Sequence, residues 1–362
     1  MRVTNNAMTR NYLINLNNNL SLLNESGTRL QTGREFTKMS ENVSAGTRAL
    51  GIRTQMYKNE QIQSNVKKAS ESLTVAESNM MSLEDILNSV HEQTIKALNG
   101  TNDSVSNIFS INFDSLKNQI VEFANCKYND TYILGGTNNQ SAPFEVKDGE
   151  LFYNGVNVNS IEKTDGKFTS NGEKVPFSDS IYIDIGIGLT VKNGAVDPRS
   201  AFNMSVSGLD CLGYGTTEIT YKDINTNEEH TIEAPNNAYE LLDEMSKCLE
   251  EKDFDKLGAL NDHLRKTVDN LVTQIADVGV RTNYLENHTG RLEDEEYVLT
   301  EIQNNLEYIK DTDELINQKS LEYSWLLTLQ YGGKVIPQSL MDYINSVSYT
   351  HLRAHETLSD LV

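Results

Sequence analysis

The sequence predicts an α+β protein: an elongated, coiled-coil-like α-helical rod formed by both chain ends, with a small β-rich domain inserted between them. Three observations carry this. Apolar residues recur at alternating four- and three-residue steps in both end segments, the spacing of helices packed side-on against other helices. Between 131 and 235 that spacing gives way to short β-branched and aromatic runs separated by glycine turns. The composition, 38% apolar with 7% aromatic over 362 residues, suits helices packed in pairs better than one thick core.

Residues 1–45 form a terminal helix and turn. Leucines at 13, 16, 20, 23 and 30 make a heptad-like stripe, with Gly27 in the vacant place. Asparagine is abundant and Gly27 lies inside, so this helix is weak alone. Gly33 ends it, and Ser40 or Asn42 caps the next. Residues 46–130 are the N-terminal part of the rod. Ile62, Val66, Ala69, Leu73, Ala76, Met80, Leu83, Leu87 and Val90 keep the four–three spacing without a miss, and there is no Pro, nor any Gly after Gly51. At 1.5 Å per residue a helix over 48–98 extends roughly 75 Å. Asn99-Gly100 stops it, and a further helix over 104–127 carries Ile108, Ile111, Leu116, Ile120 and Phe123.

Residues 131–235 are the inserted β-rich tip, with strand-like runs at 131–134, 150–153, 180–191, 217–221 and 230–233. Pro235-Asn236-Asn237 closes it, and 236–310 return to the rod. Leu264, Val268, Leu271, Ile275 and Val278 step four–three again, on through Leu285, Leu292, Leu299, Ile302, Leu306 and Ile309. A break at Lys310-Asp311-Thr312 opens the C-terminal helix, 311–345, which carries Leu315, Ile316, Leu321, Trp325, Leu326 and Leu329. Pairing the first helix with the last is the economical way to bury both stripes. Weak terminal heptads that cannot bury their leucines alone stay partly disordered in a monomer and fold on binding neighbours. Spacing alone therefore points to a self-associating or partner-binding helical protein.

The formal charge of -21, from 52 Asp+Glu against 31 Lys+Arg, repels phosphate backbones and anionic lipid. Nucleic-acid binding and membrane insertion are not expected. No segment approaches the roughly 18 apolar residues of a membrane span. The N-terminus has no signal-peptide core or cleavage site, so export, if it occurs, uses no cleaved signal. Cys126, Cys211 and Cys248 are scattered and outside any CxxC spacing, which argues against disulfides or zinc. Asp184-Ile185-Gly186-Ile187-Gly188 has the look of a nucleotide loop but opens no helix. Glu293-Asp294-Glu295-Glu296 points around a helix instead of converging on a metal. His263 and His288, alone on a helix, read as surface residues. No catalytic, metal or cofactor site is predicted, and the chain does not read as an enzyme.

The opening Met1-Arg2-Val3-Thr4-Asn5, with Leu20-Ser21 and Leu30-Gln31-Thr32-Gly33-Arg34, resembles the start of flagellar axial subunits. Asn125 to Thr137 (NCKYNDTYILGGT), followed by Pro143-Phe144, is similar to the exit into the tip domain in the hook-associated protein 3 family. Ala276 to Asn283 (ADVGVRTN) and Gly333 to Leu340 (GKVIPQSL) resemble that family's C-terminal signatures. The resemblance spans about 1–345. It implies a structural subunit at the hook–filament junction of the bacterial flagellum, exported unfolded through the type III channel and guarded by a cytoplasmic export chaperone. Its implied partners are hook-associated protein 1, flagellin and copies of itself in a helical ring, with no cofactor. The heptad positions that would carry assembly are Leu13, Leu16, Leu20 and Leu23, with Leu326, Leu329, Ile336 and Leu340.

Val43 departs from the family pattern, standing where a turn proline is usual, and so does Cys126. After Asn345 the pattern stops, and 346–362 reads as translated sequencing-adapter sequence foreign to the protein. Two alternatives stand beside the junction reading. One is flagellin itself, which shares the terminal-helix logic. The other is a secreted coiled-coil adhesin with a β-rich binding tip.

Overall fold

The computed structural model describes residues 5–99, 103–138, 140–164, 166–192, 194–223 and 228–335. Its helices are α1 (Asn5–Thr32), α2 (Val43–Leu98), α3 (Asp103–Ala124), α4 (Gly208–Leu212), α5 (Ala238–Glu251), α6 (Phe254–Glu307) and α7 (Asp311–Val335). Ile336, Leu340 and the 346–362 tail lie outside the described residues. The chain divides into two compact units, Met1–Met56 with Tyr297–Val362, and Tyr57–Glu296.

In the 57–296 unit α2 and α6 run antiparallel. Asn59 Nδ2 donates to the Leu292 carbonyl (3.0 Å), and His91 Nδ1 lies 2.8 Å from Asn261 Oδ1. The four–three residues of α2 from Val66 to Val90 are all buried, as are Leu264, Leu271, Val278, Leu285 and Leu292 of α6. Each enclosed leucine stabilises by about 1.5–3 kcal/mol, and this regular series holds the pair together. On α3 the buried side is Phe113, Ile120 and Ala124, while Ile108 and Ile111 face outward. Sequence spacing picked the wrong side of the N-terminal half of that helix, because Phe113 was not counted in the stripe.

α5 packs on α3, with Ser110 Oγ 3.1 Å from Ser246 Oγ and Lys117 paired to Asp243. It is a separate helix for local reasons. Asn237 caps it by accepting from the Glu240 N–H (2.8 Å), and Lys252 ends it in the left-handed region at φ 63°. Asp253 then starts α6 by accepting from the Lys256 N–H at 3.0 Å.

The region between α3 and α5 is a set of small antiparallel sheets of two or three strands, not one continuous sheet. Its tight turns were legible: Asp148-Gly149, Asn154-Gly155 and Asn171-Gly172 all carry positive φ at both residues, the two-residue hairpin geometry. The longest ladder pairs Thr216–Lys222 with Glu229–Pro235.

Side chains tie this region to the long helices of the same unit. Asn65 Nδ2 donates to the Asp184 carbonyl and Arg281 to the Ser205 carbonyl, each at 3.0 Å. Phe202 stacks on Tyr284 at 5.9 Å. The Asp184–Gly188 glycines serve this docking: a Cβ on Gly186 (φ 85°) would press into Ile62, and the Asp184 carboxylate accepts from the Gly186 N–H at 2.8 Å. His263 and His288 are buried, contrary to the surface placement their sequence context suggested. His288 has one ring nitrogen on the Ile185 carbonyl and the other 3.3 Å from Arg291. Both histidines lie on the inner side of α6, beneath the β region, which helix periodicity alone does not reveal.

In the other unit α1 and α7 pair antiparallel along their length. At the near end, the 33–35 connection bonds to 307–309 through Glu35 N–H to the Glu307 carbonyl (2.8 Å) and Ile309 N–H to the Gly33 carbonyl (3.1 Å).

Candidate assembly surface

The α1–α7 pair is the element that sequence spacing singled out, and its seam mixes apolar with polar side chains. From α1 the seam takes Tyr12, Leu16, Asn19, Leu23, Ser26 and Leu30; from α7 it takes Glu314, Gln318, Leu321, Trp325, Thr328 and Gly332. Both series step four–three, as antiparallel helix pairing requires. Much of the seam is polar. Asn19 Nδ2 donates to Thr328 Oγ1 at 2.8 Å, and Gln318 lies against Gly27. At the far end Tyr12 covers Gly332 so closely that a Cβ there would overlap the phenol.

Other apolar side chains of the pair are exposed. Leu13, Ile14, Leu20 and Leu22 of α1, and Leu315, Ile316, Tyr323, Leu326, Leu327, Leu329 and Tyr331 of α7, are all at least 41% exposed. Single exposed leucines are ordinary, but this many on one two-helix element make it a candidate interaction surface. Of the predicted assembly positions, Leu13, Leu20, Leu326 and Leu329 lie on this outward surface. Leu16 and Leu23 lie in the seam, half-buried against α7.

The leucine stripe thus has the wrong partner residues at alternate steps: Tyr12, Asn19 and Ser26 fill the seam where Leu13, Leu20 and Gly27 were expected. Both sets have the same seven-residue period, so α1 alone could not decide between them. The signal that could have done so is Gly332 on α7, whose missing side chain makes room for a bulky residue opposite.

Charge is divided as sharply. Of the 52 Asp+Glu and 31 Lys+Arg, 40 and 20 lie in residues 57–296, leaving 12 and 11 for the rest of the chain. The unit with the apolar surface is nearly neutral, and the acidic excess resides in the other. Copies meeting through the first unit therefore bring little like charge together there.

No functional constellation competes with this surface among the described residues. They contain no group of three or more His, Cys, Asp or Glu placed to hold a metal ion, and no helix long and apolar enough to cross a membrane. The thiols are poor nucleophiles. Burial pushes Cys126 and Cys248 up to about 11 and Cys211 higher still.

Residues 3–139 match the family model of the bacterial flagellin N-terminal helical region. Over that span the chain is similar to the flagellin N-terminal helical region. That region comprises α1, α2, α3 and the turn into the β-rich part. No curated protein matches the chain by sequence.

Among solved structures, a Vibrio parahaemolyticus protein assigned as flagellar hook-associated is similar at 15% identity and a TM-score of 0.51, covering 74% of this chain and 100% of that one. Xanthomonas campestris FlgL is similar at 12% identity and 0.50, covering 70% and 99%. The flagellar junction protein FlgL of Legionella pneumophila is similar at 12% and 0.48, covering 72% and 100%. At these identities the first two likenesses establish a shared fold.

Proposed function

We propose that this protein is a structural subunit of the bacterial flagellum, joining the hook to the filament. The observation that carries it is the α1–α7 pair, which leaves many apolar side chains exposed in a chain whose residues 3–139 match the flagellin N-terminal helical region. Such a pair is incomplete as a free element and is stabilised when neighbours cover it. Because each copy offers one surface to the next, a heterologous contact of this kind builds a helical ring or lattice. Hook-associated protein 1 lies on one side, flagellin on the other, and copies of the chain between them. Before export a cytoplasmic chaperone shields the same apolar surface. The working location is the external flagellum. The flagellin reading is disfavoured by the similarity to hook-associated proteins over the larger part of the chain, and no observation here favours an adhesin.

Mixing purified chain with hook-associated protein 1 tests the proposal. The expected result is a cap on hook-associated protein 1 that then accepts flagellin. Polymerisation into long filaments by the chain alone would instead make it flagellin, and failure to engage hook-associated protein 1 in any order would overturn the junction role.

A further inference from the structure

α6 ends at Glu307 and α7 begins at Asp311, yet Tyr308-Ile309-Lys310 between them contains neither proline nor glycine. All three residues have ordinary helix propensities, and the apolar spacing of α6 continues through Ile309. The acidic residues Asp311, Asp313 and Glu314 mark the start of α7 locally, but nothing in 308–310 itself ends α6, and the cause of that ending is tertiary.

That cause passes alongside. The α1–α2 connection, turned by Gly33 at φ 68°, bridges Arg34 to Tyr308 in antiparallel fashion. Its Glu35 N–H occupies the Glu307 carbonyl, which a continuous helix would offer to the N–H four residues on. The Gly33 carbonyl in turn draws the Ile309 N–H out of helical pairing. Arg53 of α2 then grips the Glu307 carboxylate with two guanidinium nitrogens, Nε to Oε1 at 2.7 Å and Nη2 to Oε2. Glu307 is 2% exposed, so its charge depends on that fork for compensation.

We propose that Arg53, Glu307 and the 33–35 strand form a latch, and that residues 308–310 are a two-state element. While Glu307 is held, the segment is broken and α7 lies against α1. Released, it becomes helical and joins α6 to α7 in one continuous helix. The exchange is nearly even: two cross-chain backbone bonds and an ion pair are replaced by helical bonds across the gap. A balance of that kind is what a bistable element needs. Opening takes α7, with Leu326 and Leu329, out of the direction in which it pairs with α1.

The test uses the full chain, reading the ¹³Cα chemical shifts of Tyr308, Ile309 and Lys310 together with amide exchange at Glu35. In the natural chain the three shifts are expected to be non-helical and the Glu35 amide slow. Arg53→Ala keeps a strong helix former in α2. It is expected to move all three shifts to helical values and to speed Glu35 exchange by about ten-fold or more, the loss of one hydrogen bond. Glu307→Gln, which keeps the shape and loses the charge, is expected to fall between, and it serves alone should Arg53→Ala not fold. Unchanged shifts in the variant would show that the break is intrinsic. Random-coil shifts, in the natural chain or the variant, would show disorder in place of a second helical state. Either result overturns the latch.

Discussion

Two buried titratable groups on α6 lose their stabilising contribution in the same direction, as pH falls, for different reasons. At Glu307 the hydrogen bonds from Arg53 hold the carboxyl below its ordinary value, against the opposing effect of burial, with Arg34 adding to the lowering. Its contribution is present above the ordinary carboxylate range and is lost as pH falls through the depressed folded value. At His263 burial lowers the ring's pKa, Lys266 lowers it further, and the Pro235 carbonyl opposes them. Asp210, Cys211 and Tyr214 line the same cavity from the other side. A depressed histidine is neutral in both states above the ordinary imidazole value of 6.5, so its stabilising contribution is complete there. It is lost as pH falls from that value through the folded one. The melting temperature of the natural chain is therefore expected to drop between pH 7 and 5.5, and His263→Met to flatten that drop; an equal slope in both would assign it to other groups. Gly332 gives a second residue-scale prediction. Gly332→Ala raises the helix propensity of α7 by about 1 kcal/mol but drives Tyr12 from its place, an overpacking cost of about 1–3 kcal/mol. The chain's single tryptophan, Trp325, lies half-buried in the same seam, two helical turns from Gly332. Its emission is expected to shift red in the variant; an unchanged spectrum would mean that Tyr12 moves aside freely.

The long elements were legible in the sequence because their cores repeat. From Val66 to Val90 every four–three position is buried, and the apolar residues off that stripe, Val75, Met81 and Ile86, share no repeat that could set a second register. Where two registers shared a period, as in α1, the sequence was ambiguous, and the packing partner decided for Tyr12, Asn19 and Ser26. α5 was missed as a separate helix because its stop is a left-handed lysine, Lys252, in place of the usual glycine. The docking of 184–186 and 202–205 on α2 and α6 was invisible because carbonyl contacts and ring stacking leave no periodic trace. The pairing of the terminal helices was legible at the level of the element, and which of their positions face the seam only partly at the level of the residue. The distinction between outward and seam leucines gives an element-scale prediction. Leu326→Asp with Leu329→Asp is expected to leave Trp325 emission and the melting curve close to the natural chain's, while abolishing assembly on hook-associated protein 1. Leu16→Asp with Leu23→Asp places charges in the seam without partners and is expected to separate the hairpin itself, shifting Trp325 emission red. If both pairs behave alike, the outward surface and the seam are not distinct.

Across the whole molecule, the apolar surface and the charge are assigned to different parts of the chain. Residues 57–296 hold 40 of the 52 acidic side chains, so the assembly proposed above would bring strongly anionic units near one another while nearly neutral helical pairs make the contacts. Association is then a balance between apolar burial, at about 25 cal/mol per Å², and repulsion that acts over a Debye length of about 8–10 Å at physiological ionic strength. Raising sodium chloride screens the second term and leaves the first nearly untouched, so assembly on hook-associated protein 1 is expected to tighten from low to moderate salt. A charge variant separates screening from a general salting-out of apolar surface. Glu293→Gln, Asp294→Asn and Glu295→Gln remove three exposed acids from α6, well away in sequence from α1 and α7. At low salt the triple variant is expected to assemble more tightly than the natural chain, and at high salt to match it, because screening has already removed what the substitutions remove. Assembly that strengthens equally with salt in both chains would assign the effect to the apolar surface alone. Assembly that weakens with salt would show that opposite charges across the contact, not the leucines and tyrosines of α1 and α7, hold neighbouring copies together.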